Sequence, residues 1–399
     1  MNKIYYLMNK DKELLEYNKT RGTVKLLIPI EEFNRLNIFT VHEPNFDILG
    51  SEFDKWCIDR VSMNRDFISF HYAIFENLHK DCDLFDYLVS SKGLSLHDTL
   101  WFKEINDNSS WSDVNLYTNK LNTKLTNLLL FGDYEEDYSL KDFTNSPEVT
   151  TYGLRPKAWF NNDNSLYLLK VDYDDCITPN MNSFSEVFSS IIAKYLVINS
   201  VEYKLKFHKD KIGAICKAFT DEDIGFLPAK HYFKGLSYKE FIKTDLYKTY
   251  EKEIQDMMFL DFLLHNRDRG LDDWGFLIDN STREIKGFAP LFDFNECLWS
   301  YHFNDSLERD SIEDDYHYQY YRNQNNFFKS FEISYLPLLK LDVNNINNLL
   351  NLKEALINNT ILDSFQNINF IPNGITRYNI IKNLLIHRID YLLDVFEKR

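Results

Sequence analysis

Asp261-Phe262-Leu263-Leu264-His265-Asn266-Arg267-Asp268-Arg269-Gly270-Leu271-Asp272-Asp273-Trp274-Gly275-Phe276-Leu277 is the stretch that decides the reading of this chain. A short hairpin later comes its companion, Ala289-Pro290-Leu291-Phe292-Asp293-Phe294-Asn295. The apolar run Phe259 to Leu264 predicts the end of a helix, and the Asn/Arg/Asp-rich segment after it predicts a loop. Trp274–Ile278 and Ile285–Phe288 predict two strands around the turn Asp279-Asn280-Ser281. Three carboxylates punctuate this layout: Asp268 in the loop, Asp273 five residues on, and Asp293 just past the hairpin.

Such a set suits phosphoryl transfer. Moving the γ-phosphate of ATP needs an acceptor for the attacking hydroxyl's proton and hard oxygen ligands for magnesium. Protein kinases space these groups as Asp-x-x-x-x-Asn followed by Asp-Phe-Gly, and Asp268, Asp273 and Asp293-Phe294-Asn295 stand in that order. A lone Asp-x4-Asp pair is weak evidence, because acidic pairs are common on solvated loops. The surroundings here are apolar: Leu291, Phe292 and Phe294 frame Asp293. A carboxylate among core residues is costly unless paired or metal-bound.

Working outward, Trp159-Phe160 and Leu166 to Lys170 flank the polar Asn161 to Asn164 and read as a hairpin. Phe184, Val187, Phe188, Ile191, Ile192, Tyr195 and Leu196 then share one helical face, with Ser183 as the expected N-cap. Strands are expected near Val201–Phe207 and Ile212–Phe219, and one long helix, broken once, over Tyr238–Leu264. A closing helix carries Ile381, Leu384, Leu385, Ile389, Leu392, Leu393 and Phe396. Towards the N-terminus, Ile4–Leu7 and Val24–Ile28 read as strands, Glu52–Val89 as helical, and Leu94–Phe102 alternates like a strand. The pattern alone gives an α+β fold in two lobes. Its expected parts are an N-terminal accessory region over residues 1–142, a β-rich lobe over 143–222 and a helical lobe over 223–399.

Composition narrows the partners. The chain has 399 residues, 44% hydrophobic and 16% aromatic, enough for a substantial core. A net charge of −16 argues against nucleic acid as a direct partner and serves solubility. Five scattered cysteines without a CxxC pair fit a reducing cytoplasm rather than a disulfide framework or a zinc site. Neither a signal-peptide core nor an apolar run long enough to span a bilayer is present. No HExxH or Gly-x-Ser-x-Gly motif occurs. The acidic, Tyr-rich stretch Glu308–Tyr321 reads as a surface segment, or as a docking surface for a basic peptide.

Asn266-Arg267-Asp268-Arg269, with Leu271, Trp274-Gly275 and Ala289-Pro290-Leu291-Phe292-Asp293, resembles the catalytic region of the HipA-like serine/threonine protein kinases. That family reads Asn-x-Asp-Arg-His-x-x-Asn, an apolar strand pair, then Ala-Pro-x-Tyr/Phe-Asp. Ser95-Leu96-His97-Asp98-Thr99-Leu100-Trp101 is similar to a Ser-Leu-x-Asp-x-Tyr-Trp segment of some members. Thr150 to Ala158 is similar to their nucleotide loop, and His387-Arg388-Ile389-Asp390 also fits. The resemblance implies a two-lobed protein-kinase-like fold, ATP with magnesium or manganese, and a protein Ser/Thr substrate.

By position, the resemblance makes Asp268 the catalytic base and Asp273 and Asp293 the metal ligands. Lys170 would pair the phosphates and Glu186 would orient it. Thr150, Thr151, Tyr152, Gly153 and Lys157 would cover the phosphates, and Lys217, Ala218 and Phe219 would form the hinge against adenine. Thr150, Thr151 and Ser146 become candidate autophosphorylation sites. Relatives are often toxins paired with a small DNA-binding antitoxin, which makes such a partner an expectation. Two positions depart from the family pattern: Gly270 replaces its His, and Asp273 replaces its metal-binding Asn. These departures keep two alternatives open, a nucleotide-binding pseudokinase and a small-molecule kinase on the same fold.

Overall fold

The computed structural model describes residues 3–61, 63, 69, 72, 82–122, 124–131, 145–162, 165–172, 178–266, 268–300, 340, 342–365 and 368–397. Glu308–Tyr321, Arg267 and Cys176 lie outside the described residues. The chain is mixed α+β and packs as two units. The first takes residues 1–169, 218–227 and 276–287; the second takes 170–217, 228–275 and 288–399.

The first unit is built on a five-stranded sheet in the order β4-β3-β2-β1-β5. Its strands are β1 Ile4–Asn9, β2 Lys12–Asn18, β3 Thr23–Leu26, β4 Asn45–Asp47 and β5 Leu100–Glu104. Leu7 lies opposite Leu15 on one side and Phe102 on the other. That register gathers Leu7, Leu15, Val24 and Phe102 into the core, where they meet Phe53 of helix α1 (Glu52–Arg60) and Phe85 of helix α2 (Leu84–Ser90). Phe85 packs edge-on against Tyr5, Tyr17 and Phe102, the geometry in which one ring's positive edge meets another's negative face.

The strand expected over Leu94–Phe102 begins only at Leu100. Before it, the Asp98 carboxylate accepts the Leu100 N–H and a two-pronged bond from the buried Arg60 guanidinium at 2.8 and 3.0 Å. The carbonyls of Leu96 and His97 go to Thr220 and to the Phe226 N–H. These bonds replace a strand ladder and hold residues 94–99 as a loop.

Strands β6 (Lys157–Asn162), β7 (Ser165–Val171), β8 (Tyr203–His208) and β9 (Lys211–Lys217) form a sheet in the order β6-β7-β9-β8. The chain passes from the first unit to the second within β7, after Leu169. Strands β10 (Ile224–Pro228), β11 (Gly275–Asp279) and β12 (Ile285–Phe288) form a third sheet in that order. Both expected hairpins are present. The turn of the second is tied into the first unit by Asn9 Nδ2 to Asn280 O at 2.8 Å and Arg283 Nε to Leu36 O at 2.7 Å.

In the second unit, helix α3 (Met181–Tyr195) lies on β8 and β9 and is buried on nearly every side. Its N-terminus is not capped by Ser183, which sits inside the helix; the N-cap position is Asn180. Asp172 instead supplies the carboxylate, accepting the N–H groups of Asn182 and Ser183 at 2.9 and 3.0 Å and the Ser183 hydroxyl at 2.8 Å. The segment expected as one helix broken once is broken twice, into 238–241, 245–249 and helix α4 (Glu251–Leu263). The Thr244 side chain accepts the Tyr247 N–H and starts a fresh turn there. Helix α5 (Val343–Ile357) and the closing helix α6 (Gly374–Glu397) complete the unit. Arg388 of α6 bonds the Phe262 carbonyl and stacks over the Phe262 and Trp299 rings. Among the described residues, no helix is long and apolar enough to cross a membrane.

Candidate active site

Lys170 enters on β7, where strand pairing fixes its direction. Glu186 enters on α3, one residue before Val187 of the apolar stripe. The Lys170 ammonium bonds Glu186 Oε1 at 2.5 Å and Asp293 Oδ1 at 2.8 Å. A solvated face for Glu186 is thereby excluded: its carboxylate is 1% exposed. Glu186 Oε2 also accepts the Phe294 N–H at 2.9 Å, fixing the backbone next to Asp293. Asp293 itself takes a left-handed conformation, φ +62°, which turns the chain out of the hairpin.

Electrostatics follow from this burial. Burial pulls the Lys170 ammonium down, but the Asp293 and Glu186 charges outweigh it and hold the ammonium well above its ordinary value. Lys170 thus carries its charge at neutral pH. For Glu186, burial and the neighbouring Asp293 push the carboxyl up against the pull of Lys170.

The loop after α4 is held from below by a pair that sequence reading quoted without a role. Arg269 and Asp261 are both fully buried. Arg269 Nη2 and Nε meet Asp261 Oδ1 and Oδ2 at 3.0 Å each. Burial disfavours the guanidinium, yet Asp261 outweighs it and raises its pKa. Arg269 also donates to the carbonyls of Asp273 and Phe292 and lies over the Phe294 ring at 5.3 Å. It thereby ties the Asp268 loop, Asp273 and the Asp293 segment to one point. Asn266 donates to Asp261 and accepts the Asp268 N–H at 3.1 Å, and the Asp268 side chain is exposed.

The two departures from the family pattern touch each other. Asp273 Oδ2 accepts the Gly270 N–H at 2.6 Å. The Asp273 carboxyl is pushed up to about 7, chiefly by burial and then by the charge of Asp293, against the pull of Arg269 and the Gly270 bond. Two carboxylates that disfavour each other's charge are a donor set that a hard divalent cation fits. Among the described residues, no group of three or more His, Cys, Asp or Glu side chains is placed to hold a metal. A pair completed by phosphate oxygens is the way magnesium is commonly held in nucleotide sites.

The remaining expected residues divide between the units. Lys217 ends β9, exposed, in the second unit. Ala218 and Phe219 open the next stretch of the first unit; the Ala218 N–H bonds the Leu166 carbonyl at 2.8 Å and Phe219 packs edge-on against Phe226. Thr150 closes a single 3-10 turn, Pro147–Thr150, and its hydroxyl donates to Leu94 O at 2.8 Å. The Thr151 hydroxyl donates to Pro147 O and accepts from the Trp159 indole. Lys157 Nζ donates to Tyr152 O at 2.9 Å. Gly153 has φ +99°, a backbone conformation that residues with a side chain rarely adopt.

A strand lysine paired with a helix glutamate is an arrangement that protein kinases use, and here the lysine also pairs with an aspartate beyond a hairpin. No family model matches the chain. Over 171 residues it is 28% identical to the serine/threonine-protein kinase CtkA of Helicobacter pylori, a match covering 37% of this chain and 50% of that protein. The chain thus spans about half the length of this curated relative. Its fold is similar to that of a chain in the Shewanella oneidensis MR-1 complex of HipA, HipB and operator DNA, with a TM-score of 0.54, 14% identity and 98% of each chain covered. The crystal structure of a Helicobacter pylori proinflammatory kinase CtkA superposes with a TM-score of 0.49 and 20% identity, covering 61% of this chain and 91% of that one. The chain is thus similar over part of its length to a serine/threonine-protein kinase, and in fold to a chain of the HipA complex.

Proposed function

We propose that this protein is a HipA-like kinase that moves the γ-phosphate of ATP to a Ser or Thr hydroxyl of a protein. The observation that carries the reading is the Lys170 ammonium held at once by Glu186 and Asp293. In this reading Lys170 meets the α- and β-phosphates, and Glu186 keeps it aimed. Asp273 and Asp293 hold magnesium, or manganese, which when bound offsets the charge of the phosphates. Asp268 accepts the proton of the acceptor hydroxyl as its oxygen bonds the γ-phosphorus. The bond to the β,γ-bridging oxygen breaks and ADP leaves.

The two-lobed arrangement belongs to the same proposal, supported by the likeness to the HipA fold. So does a small DNA-binding antitoxin, since HipA in the Shewanella complex is accompanied by HipB. A cytoplasmic location is supported by the cysteines: among the described residues, Cys57, Cys82, Cys216 and Cys297 form no disulfide. A second reading, ATP binding without transfer, is favoured by the Gly270–Asp273 bond, which occupies one oxygen of an expected ligand.

Transfer of labelled γ-phosphate with magnesium and then manganese, beside Asp268→Ala, decides between them. Label in the wild type and none in the variant supports the kinase. ATP binding without label under either metal moves the conclusion to the pseudokinase.

A further inference from the structure

Tyr203, the first residue of β8, lies against Lys170 and Asp293 although no motif singles it out. Its ring is buried, and the Lys170 ammonium lies 5.4 Å from the ring centroid, inside cation–π range. Its hydroxyl accepts the backbone N–H of Asp293 at 3.4 Å. Its own N–H donates to the Ser190 hydroxyl at 3.3 Å, one helical turn beyond Glu186 on α3. Cys216 lies opposite it on β9, which anchors the residue in the sheet.

We infer that Tyr203 is a positioning residue with two separable parts: its ring seats Lys170, and its hydroxyl holds Asp293 in its left-handed turn. The inference rests on the kinase reading for its consequence and on geometry for its cause. Asp293 is left-handed, a conformation that costs energy in a non-glycine residue and persists only when its neighbours fix it. Two bonds do so here. Its own N–H goes to Tyr203, and the next N–H goes to Glu186. The ring explains how a buried ammonium keeps one place between two carboxylates. The carboxylates satisfy two of its donors, and the ring face lies near it as a third, non-competing neighbour. A purely structural tyrosine would need neither relation.

The parts are tested with Tyr203→Phe, which keeps the ring, and Tyr203→Leu, which keeps neither. Lys170 acetylation by acetic anhydride, followed by mass spectrometry without nucleotide or metal, reads the ring. Magnesium dependence of ATP binding, read by calorimetry on the full chain, reads the hydroxyl. Lys170 in Tyr203→Leu is expected to label about threefold faster than in wild type, with Tyr203→Phe unchanged. Tyr203→Phe is expected to need about fivefold more magnesium for half-maximal ATP binding, the scale of one lost hydrogen bond. Equal labelling in all three proteins, or an unchanged magnesium requirement in Tyr203→Phe, overturns the corresponding part. If Tyr203→Leu does not fold, Tyr203→Phe still decides the hydroxyl. A wild type that transfers no phosphate refutes the kinase reading, while the labelling comparison still decides the ring.

Discussion

Asp273 shows how two unusual residues form one feature. The family's His and Asn are both absent, and the residues in their places bond each other through the Gly270 N–H and Asp273 Oδ2. An asparagine oxygen could accept the same bond and still ligate a metal, whereas alanine could do neither. Asp273→Asn should therefore transfer phosphate within about tenfold of wild type, and Asp273→Ala should lose on the order of a hundredfold or more, the scale of disrupting a metal site. Initial rates across a magnesium series check this. Wild-type rates in Asp273→Ala would remove the residue from the metal site.

At this scale the sequence made part of the cluster legible. Lys170, Glu186 and Asp293 each sit in a recognisable place: a strand end, the next helix, the residue past a hairpin. Tyr203 and Arg269 were not legible as its supports. Their partners lie across the fold, and spacing along the chain carries no trace of a ring beneath an ammonium. Asp261 did leave a signal. A carboxylate inside the run Met257–Leu264 must be paired, and Arg269 is its partner.

Among elements, α3 matters most, since it carries Glu186 and opens at a cap supplied from elsewhere. Sequence reading placed the cap on Ser183, the nearest residue of the right type. The tertiary structure overrode it, because Asp172 reaches three donors at once. Asp172→Ala should cost about 1–2 kcal/mol by chemical denaturation, the upper range for a lost cap. A change within experimental error would mean that other bonds fix this end of the helix. Hydrophobic periodicity located both hairpins and the closing helix well. It misjudged Leu94–Phe102, where alternation is present but Asp98 and its buried arginine consume the backbone bonds that a strand would need.

Over the whole molecule, pH should act through two opposed groups: Asp273, whose raised carboxyl adds stability as pH falls from about 7 towards 4, and His97. Burial, then the charges of Arg60 and Lys157, lowers its pKa to about 4 against the opposing pull of Asp98. Above its ordinary value of 6.5 the histidine is neutral folded or unfolded, and stability is unaffected. Below it the unfolded chain takes up a proton that the folded chain refuses, so the part of the stability that His97 governs falls as pH drops from 6.5 towards 4. The loss should reach ~2 kcal/mol by pH 5. His97→Gln should flatten that slope in thermal melts, and an unchanged slope would assign it to other groups.

The first unit also bears on how the protein is made. Its sheet is encoded within the first hundred or so residues, yet Asn280 and Arg283, which bond Asn9 and Leu36, are synthesised far later. A ribosome translating this message releases the N-terminal sheet long before the hairpin that finishes it. Residues 170–217 and 228–275 of the other unit emerge in between. Early folding by this region during translation would therefore yield an incomplete body, exposed for the time needed to add more than a hundred residues. At ~5–20 residues per second that interval is several seconds or longer, a window in which a chaperone could act.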